Sequence, residues 1–384
     1  MENNLSLLIK PTSSSCNLKC SYCFYNDVSN NRKNKNYGMM TIETAKKIID
    51  RIIEYTTPNA TINIGFQGGE PTLIGLDFFK EFIKYAAVKK VKRTFNYSLQ
   101  TNGILIDDKW CKFFKRNKFL IGLSLDGYES NMNLFRYDNN GLGVFNKVIT
   151  SYNLLKSYKV DINLLCVLTN PLAQSPEKLY GFFKSIDASY IQLIPCLPPL
   201  DTNEKFLTTK NLLNKPIHEE IALTPDNYKA FYKKFYSLWL KDFKIGKAIS
   251  VNIFDNIMLM LMRKPPFQCG VNGRCSIQNI IEADGSVFTC DFYVTDTNNL
   301  GNIHTNTFYE INNCNIALEF KKPLKLPYIC EKCKYVHICN GGCKRQRVCF
   351  LEENSCGYKD LLDTMMIELP STLSKFLKFN YIHN

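Results

Sequence analysis

Pro11-Thr12-Ser13-Ser14-Ser15-Cys16-Asn17-Leu18-Lys19-Cys20-Ser21-Tyr22-Cys23-Phe24-Tyr25 governs the reading of this chain, because three cysteines fall at Cys16-x3-Cys20-x2-Cys23 just after the short apolar run Leu5 to Ile9. A 4Fe-4S cube needs a ligand on each iron. Three closely spaced thiolates therefore leave one iron coordinatively open to bind and activate another molecule. The count points to a reactive centre rather than a closed one. A zinc knuckle would use the same residue type, but zinc sites usually draw on a Cys-x2-4-Cys pair with a distant second pair.

Around this loop, apolar β-rich runs alternate with helical patterns. Leu5 to Ile9 reads as a strand and Ile42 to Tyr55 as a helix, with apolar residues at 42, 45, 48, 49, 52 and 53. The alternation continues with strand Ile62 to Phe66 and helix Asp77 to Val88, strand Phe95 to Leu99 and helix Asp107 to Arg116, then strand Phe119 to Leu125 and helix Val144 to Tyr158. Val160 to Leu168 and Ile191 to Ile194 add two strands around a helix at Glu177 to Ile186. Six strands separated by helices predict an α/β fold with a parallel sheet, since parallel neighbours need a long crossover. Curled, it is a partial, TIM-like (β/α)6 barrel.

Chemistry in such barrels sits on loops after the C-terminal ends of the strands. The cysteine triad follows the first strand, Gln67-Gly68-Gly69-Glu70-Pro71 the second and Gln100-Thr101-Asn102-Gly103 the third. Ser124-Leu125-Asp126-Gly127 ends the fourth strand, and Pro195-Cys196-Leu197 follows the sixth. Placement on one rim is what a single active site requires.

After Pro198-Pro199 a polar stretch runs to Asn214, followed by amphipathic helices at about Pro225 to Lys244 and Val251 to Met262, the last stopped by Pro265-Pro266. Beyond them the chain is cysteine-dense and loop-rich to about Cys356, with a hairpin signal at Ile280-Ile281-Glu282-Ala283-Asp284-Gly285-Ser286-Val287-Phe288. The expected domains are a barrel over 1–225, a helical connection over 226–266 and a cysteine-rich domain over 267–384 that ends in a helix.

Composition narrows the class. The 384 residues are 45% hydrophobic and 22% charged, as in an ordinary globular protein. Sixteen cysteines without a signal-like start disfavour a disulfide framework, and the most apolar stretch, Ile257 to Met262, is far short of the roughly 20 residues of a membrane span. A cytoplasmic protein is expected. The net charge of +13 is spread along the chain, and its densest cluster, Lys344-Arg345-x-Arg347, sits inside the cysteine block. That distribution reads as a solvated basic surface rather than a nucleic-acid site.

The second cysteine block reads Cys269-x5-Cys275-x14-Cys290, then Cys330-x2-Cys333-x5-Cys339-x3-Cys343, then Cys356. Eight cysteines make two closed four-thiolate sites. Spacing alone allows two zinc ribbons, although the x5 and x3 gaps suit them poorly. Cys111, Cys166, Cys196, Cys314 and Cys349 are left over. Burial as small hydrophobes suits the first three, while Cys349 competes with Cys356 for a ligand role.

Cys16-x3-Cys20-x-Tyr22-Cys23, with an aromatic residue before the last cysteine, resembles the signature of the radical S-adenosylmethionine enzymes. In that superfamily the open iron chelates S-adenosylmethionine, and one electron breaks its sulfonium bond to give a 5'-deoxyadenosyl radical. Gly68-Gly69-Glu70-Pro71 resembles the family element whose backbone meets the methionine amino group, which implies Gly69. Tyr22, Ser124, Arg136 and Leu197 match positions that contact adenine, ribose or carboxylate in similar enzymes, and the Arg136 fork suits a carboxylate.

The second block resembles the SPASM domain of radical enzymes that modify peptides, which carries two auxiliary 4Fe-4S clusters and so brings the expected total to three. The resemblance implies Cys269, Cys275, Cys290 and Cys343 for one auxiliary cluster, and Cys330, Cys333, Cys339 and Cys356 for the other.

Together with Ser98-Leu99-Gln100-Thr101-Asn102-Gly103 and Cys290-Asp291-Phe292-Tyr293, these motifs are similar to those of the anaerobic sulfatase-maturating enzymes over nearly the whole chain. The polar stretch Asp201 to Asn214 matches no family element. The resemblance implies oxidation of a cysteine or serine in an unfolded sulfatase polypeptide to Cα-formylglycine, with Asp291 as general base. It also implies a flavodoxin or ferredoxin as electron donor and a monomeric enzyme. Gln67, on the barrel rim, is a candidate peptide contact. Two other classes stay open: a SPASM enzyme that crosslinks a ribosomal peptide through a thioether, and a non-catalytic electron carrier or zinc-ribbon binding protein. The lack of an N-terminal peptide-recognition segment before the first strand counts against the former.

Overall fold

The apolar run that precedes the cysteines lies in β1 (Glu2–Ile9) of the computed structural model, which describes residues 1–200 and 220–368. In chain order follow α1 (Phe24–Asn30), α2 (Ile42–Tyr55), β2 (Thr56–Phe66), α3 (Leu76–Lys89), β3 (Thr94–Thr101), α4 (Asp108–Arg116) and β4 (Leu120–Ser124). Next come α5 (Glu129–Phe135), α6 (Phe145–Ser157), β5 (Asp161–Leu168), α7 (Asn170–Ala173), α8 (Pro176–Ser185) and β6 (Tyr190–Pro195). Then come α9 (Pro225–Lys244), β7 (Ser250–Val251), α10 (Asn252–Leu261), β8 (Ile280–Ile281), β9 (Ser286–Phe288) and β10 (Asn299–Asn302). The polar stretch Asp201 to Asn214 and the chain beyond 368 lie outside the described residues, so the expected terminal helix is seen only over 357–368.

The elements fall into two compact units: Met1–Leu125 with Met132–Asn163 and Ser276–Lys322, and Asp126–Asn131 with Leu164–Cys275 and the chain from Pro323. In the first unit the strand order is β10-β9-β8-β1-β2-β3-β4. The pairs from β8 through β4 are parallel, and β8, β9 and β10 pair antiparallel with one another. Helix α2 shows why the periodicity was sufficient: Thr41 caps its first turn by accepting from the Thr44 N–H, and Ala45, Ile48, Ile49 and Ile52 form one buried stripe. On β2, Phe66 packs edge-on against Phe79 and Phe82 of α3, with centroids 5.0 and 5.2 Å away, and stacks at 6.3 Å on Phe119.

β2 starts at Thr56 rather than at the expected Ile62. A register shift between Glu2 and Asn4 lets the strand pass Pro58 and Asn59, the latter at φ 74°, so residues that look like a turn are carried inside the sheet. Helices α1 and α5 are too short for a helical period to stand out.

The second unit pairs β5, from Leu164, with β6 and β6 with β7, all parallel. α9 supplies an aromatic ridge in which Tyr232, Tyr236 and Trp239 bury against Phe254 of α10. Among the described residues no helix is long and apolar enough to cross a membrane.

Candidate active site

The cysteine loop is built by backbone pairing with the segment after α5. Lys19 N–H donates to the Tyr137 carbonyl at 2.9 Å, and Ser21 N–H to that of Phe135 at 3.0 Å. This pairing sets Arg136 beside the triad. Its guanidinium donates toward Cys20 Sγ at 3.7 Å and lies 5.5 Å from the Tyr22 ring, which packs on Phe135. Cys16 Sγ receives the Leu18 N–H at 3.4 Å and Asn102 Nδ2 at 3.8 Å. Cys23 caps α1, its Sγ accepting from the Asn26 N–H at 3.4 Å. Each of the three sulfurs is thus met by an N–H donor, as iron-bound thiolates are.

Cys16 is exposed as a residue, yet the protein packed around its sulfur, together with any charge on Glu70, Cys20 or Cys23, holds its thiol above the ordinary range. Thiolates so placed form readily only against a metal charge. A donor set of three neighbouring thiols with N–H groups aimed at sulfur fits a three-cysteine cluster.

The glycine loop after β2 presses on this one. Gly69 N–H donates to the Ser13 carbonyl at 2.7 Å and Glu70 N–H to that of Ser15 at 2.8 Å. A Cβ on Gly69 would sit 2.0 Å from Ser15 O, so only glycine permits the approach. With its N–H committed, the carbonyl is the group Gly69 can offer an ammonium. The Glu70 carboxylate, 1% exposed, accepts from Thr72 N at 3.1 Å, Thr72 Oγ1 at 2.6 Å, Thr101 Oγ1 at 2.8 Å and Asn102 N at 2.7 Å. Its backbone carbonyl accepts from Thr12 Oγ1 at 3.2 Å, so one residue ties together the loops after β1, β2 and β3. Burial outweighs these donors and holds the Glu70 carboxyl above its ordinary range. Ser124, at the end of β4, and Gln67 are also buried.

Asp291 lies on a 3-10 turn, Asp291–Tyr293, directly after Cys290. Its N–H donates to Gln278 Oε1 at 3.2 Å, and Phe292 packs edge-on to Phe24, the residue after Cys23, at 5.4 Å. The first unit therefore brings Asp291 to the cysteine loop. Lys10 Nζ lies 2.7 Å from Asp291 Oδ1 and 3.8 Å from the centre of the Tyr25 ring. Sequence reasoning passed over Lys10 and Glu70. The usable signal was a charge set directly between a buried strand and Pro11, and an acid inside a glycine turn.

In the second unit, Cys330, Cys333, Cys339 and Cys356 line one pocket together with Tyr335 and Phe350. Burial raises the thiols of Cys330 and Cys339, and takes Cys356 to about 11. Lys359 N–H donates to Cys356 Sγ at 3.4 Å. A Cβ on Gly273 would lie 2.4 Å from the Cys339 carbonyl, so the loop around this space is tightly packed. Although among the described residues no three Cys, His, Asp or Glu side chains converge closely enough to hold a single metal ion, four thiols line this one space, the number a closed four-thiolate site takes. Cys349 is not among them: fully buried, it donates its S–H to the Cys196 carbonyl at 3.6 Å. Cys111, Cys166 and Cys196 are buried. Cys343 lies against Gly270, next to Cys269, and in the same unit as Cys275, whereas Cys290 belongs to the first unit. Leu197 belongs to the second unit, and Tyr22, Gly69, Ser124 and Arg136 to the first.

Family models for the radical SAM superfamily and for an iron-sulfur cluster-binding domain match residues 11–180 and 269–334. The chain is 41% identical to a cysteine-type anaerobic sulfatase-maturating enzyme of Clostridium novyi (strain NT), over 90% of this chain and 89% of that one. It is 30% identical to a serine-type counterpart of Bacteroides thetaiotaomicron, over 89% of this chain and 83% of that one. Among solved structures, native anSMEcpe with bound AdoMet and Kp18Cys peptide superposes with a TM-score of 0.85 at 38% identity, covering 97% of this chain and 99% of that one. With its radical SAM and cluster-binding regions in one chain and this identity over nine-tenths of its length, the protein belongs to the anaerobic sulfatase-maturating enzymes.

Proposed function

We propose that the enzyme oxidises a cysteine of an unfolded sulfatase polypeptide to Cα-formylglycine. The observation that carries this reading is the carboxylate of Asp291, held in the same unit as the Cys16, Cys20 and Cys23 loop and next to Cys290. Its cysteine preference rests on 41% identity to a cysteine-type relative against 30% to a serine-type one. Thioether crosslinking is not favoured, since the identity over nine-tenths of the chain is to sulfatase-maturating enzymes.

Cys16, Cys20 and Cys23 would hold the cluster that, with S-adenosylmethionine bound, would supply a carbon radical for abstraction of a Cβ hydrogen atom, and the auxiliary clusters would supply an acceptor for the substrate electron. The chain's residues orient and deprotonate. Gly69 offers its carbonyl to the methionine ammonium, Arg136 faces the carboxylate, and Tyr22, Ser124 and Leu197 meet the nucleoside. Gln67 contacts the peptide. Asp291 takes the thiol proton, so that with the hydrogen atom and the electron also gone a C=S bond remains, which water converts to the aldehyde with release of hydrogen sulfide. Cys269, Cys275, Cys290 and Cys343 hold one auxiliary cluster, and Cys330, Cys333, Cys339 and Cys356 the other. This reading divides the chain at 225 and 266, and places a monomeric enzyme in the cytoplasm with a flavodoxin or ferredoxin as its reductant.

The test is mass spectrometry of paired sulfatase peptides, one with cysteine and one with serine at the target position, after anaerobic turnover. Aldehyde is expected in the cysteine peptide at a rate at least about tenfold above the serine peptide. Aldehyde in neither, with a crosslink instead, would overturn the reading.

A further inference from the structure

Lys10 is the last thing a strand end should bury. Its side chain is 0% exposed, and among the described residues its ammonium has only the Asp291 carboxylate at 2.7 Å and the Tyr25 ring at 3.8 Å around it. An unpaired buried ammonium costs several kcal/mol, so the geometry is maintained only while both partners stay in place. The support behind it is equally fixed. Tyr25, 2% exposed, donates its hydroxyl to Glu282 Oε1, and Nη1 of the buried Arg32 side chain lies 2.8 Å from the same oxygen. Lys10 N–H donates to the Ile281 carbonyl at 2.8 Å, locking the end of β1 to the hairpin that leads to Asp291.

Asp291 Oδ1 is buried and faces Lys10 Nζ at 2.7 Å, and since neither atom has a hydrogen-bond partner among the described residues, the attraction between their charges is what holds them together. The Asp291 side chain as a whole keeps 17% exposure. We infer that Lys10 is a positioning residue for the catalytic carboxylate: by clamping Oδ1 it fixes Asp291 so that Oδ2 points at the substrate thiol. This rests on the reading of Asp291 as the base. A carboxylate on a short turn, whose backbone N–H is held by Gln278, would otherwise swing among rotamers. Misplacement of a reacting group by about 1 Å can cost on the order of 10²-fold in rate.

The test compares Lys10→Met, Asp291→Asn and the double variant as reconstituted enzymes, reading formylglycine formed per 5'-deoxyadenosine, the peptide KM, iron content and melting temperature. Lys10→Met is expected to lower product per 5'-deoxyadenosine by about 10- to 100-fold, with the loss in kcat and little change in KM. Asp291→Asn should lose about 10²-fold. The double variant should match Asp291→Asn within about threefold, because the two residues act as one unit. Its melting temperature should fall by less than the two single falls added together. Lys10→Arg, which keeps the cation, should recover most of the ratio. Should Lys10→Met fail to take up iron, Lys10→Gln carries the same comparison.

Losses that multiply in the double variant, or a Lys10→Met ratio equal to wild type beside an inactive Asp291→Asn, would overturn the role of Lys10 and leave Asp291 standing. A wild-type rate in Asp291→Asn would remove the base reading itself. Equal falls in product and 5'-deoxyadenosine in Lys10→Met would mark Lys10 as a structural residue only.

Discussion

One methyl group separates Gly69 from alanine, and the contact between two loops decides whether it fits. With a Cβ 2.0 Å from Ser15 O, Gly69→Ala must push the glycine loop away from the cysteine loop, because both sides of the contact are backbone. Overpacking of this kind costs about 1–3 kcal/mol. S-adenosylmethionine binding to the reconstituted variant should therefore weaken at least about fivefold, and the melting temperature should drop. Wild-type affinity and stability together would show that the loops can part freely. Single residues were legible where neighbours in sequence are also neighbours in space, as with Cys16, Cys20 and Cys23. Lys10 and Glu70 were not, because their partners stand at Asp291 and at Thr101 and Asn102, and nothing local to either residue encodes that pairing.

Elements sharpen a choice that spacing left open, between Cys349 and Cys356. The turn that carries Arg347–Cys349 buries the Cys349 sulfur toward the Cys196 carbonyl, while Cys356 lines the space shared with Cys330, Cys333 and Cys339. Cys356→Ala should therefore lose about four irons per chain after anaerobic reconstitution, the content of one cube. Cys349→Ala should keep all its iron and lose only packing. Iron loss in Cys349→Ala with full iron in Cys356→Ala would reverse the assignment. The same contrast runs through the secondary structure. Helices α2 and α9 begin and end where their apolar period, caps and proline say they should. β2 runs on through Pro58 and Asn59 because pairing with β1 overrides local turn preference. Short α1 owes its place to Cys23 as its cap and to Phe24 packing on Phe292, a contact between residues 268 positions apart that no periodicity announces.

Taken as one chain, the protein combines a strand–helix series with a thiol-rich C-terminal part, and charge contributes little to the account: Lys and Arg are distributed along the chain, and the ion pairs that matter, Lys10–Asp291 and Arg32–Glu282, are the buried ones. The parallel strand–helix series, and the placement of the motif loops after its strands, were readable from the alternation of apolar patterns. The grouping of Ser276–Lys322 with the N-terminal unit was not, because β8 joins the sheet through two pairs only, Leu8 with Ile280 and Ile9 with Ile281. At the centre of the proposed reaction, a radical made at the Cys16, Cys20 and Cys23 loop removes a hydrogen atom from the Cβ of a sulfatase cysteine. The direct measurement is single-turnover reaction with a peptide deuterated at that Cβ, followed by mass analysis of the 5'-deoxyadenosine. Deuterium in the 5'-deoxyadenosine, formed along with aldehyde, is the predicted result, and aldehyde formed with unlabelled 5'-deoxyadenosine would contradict it.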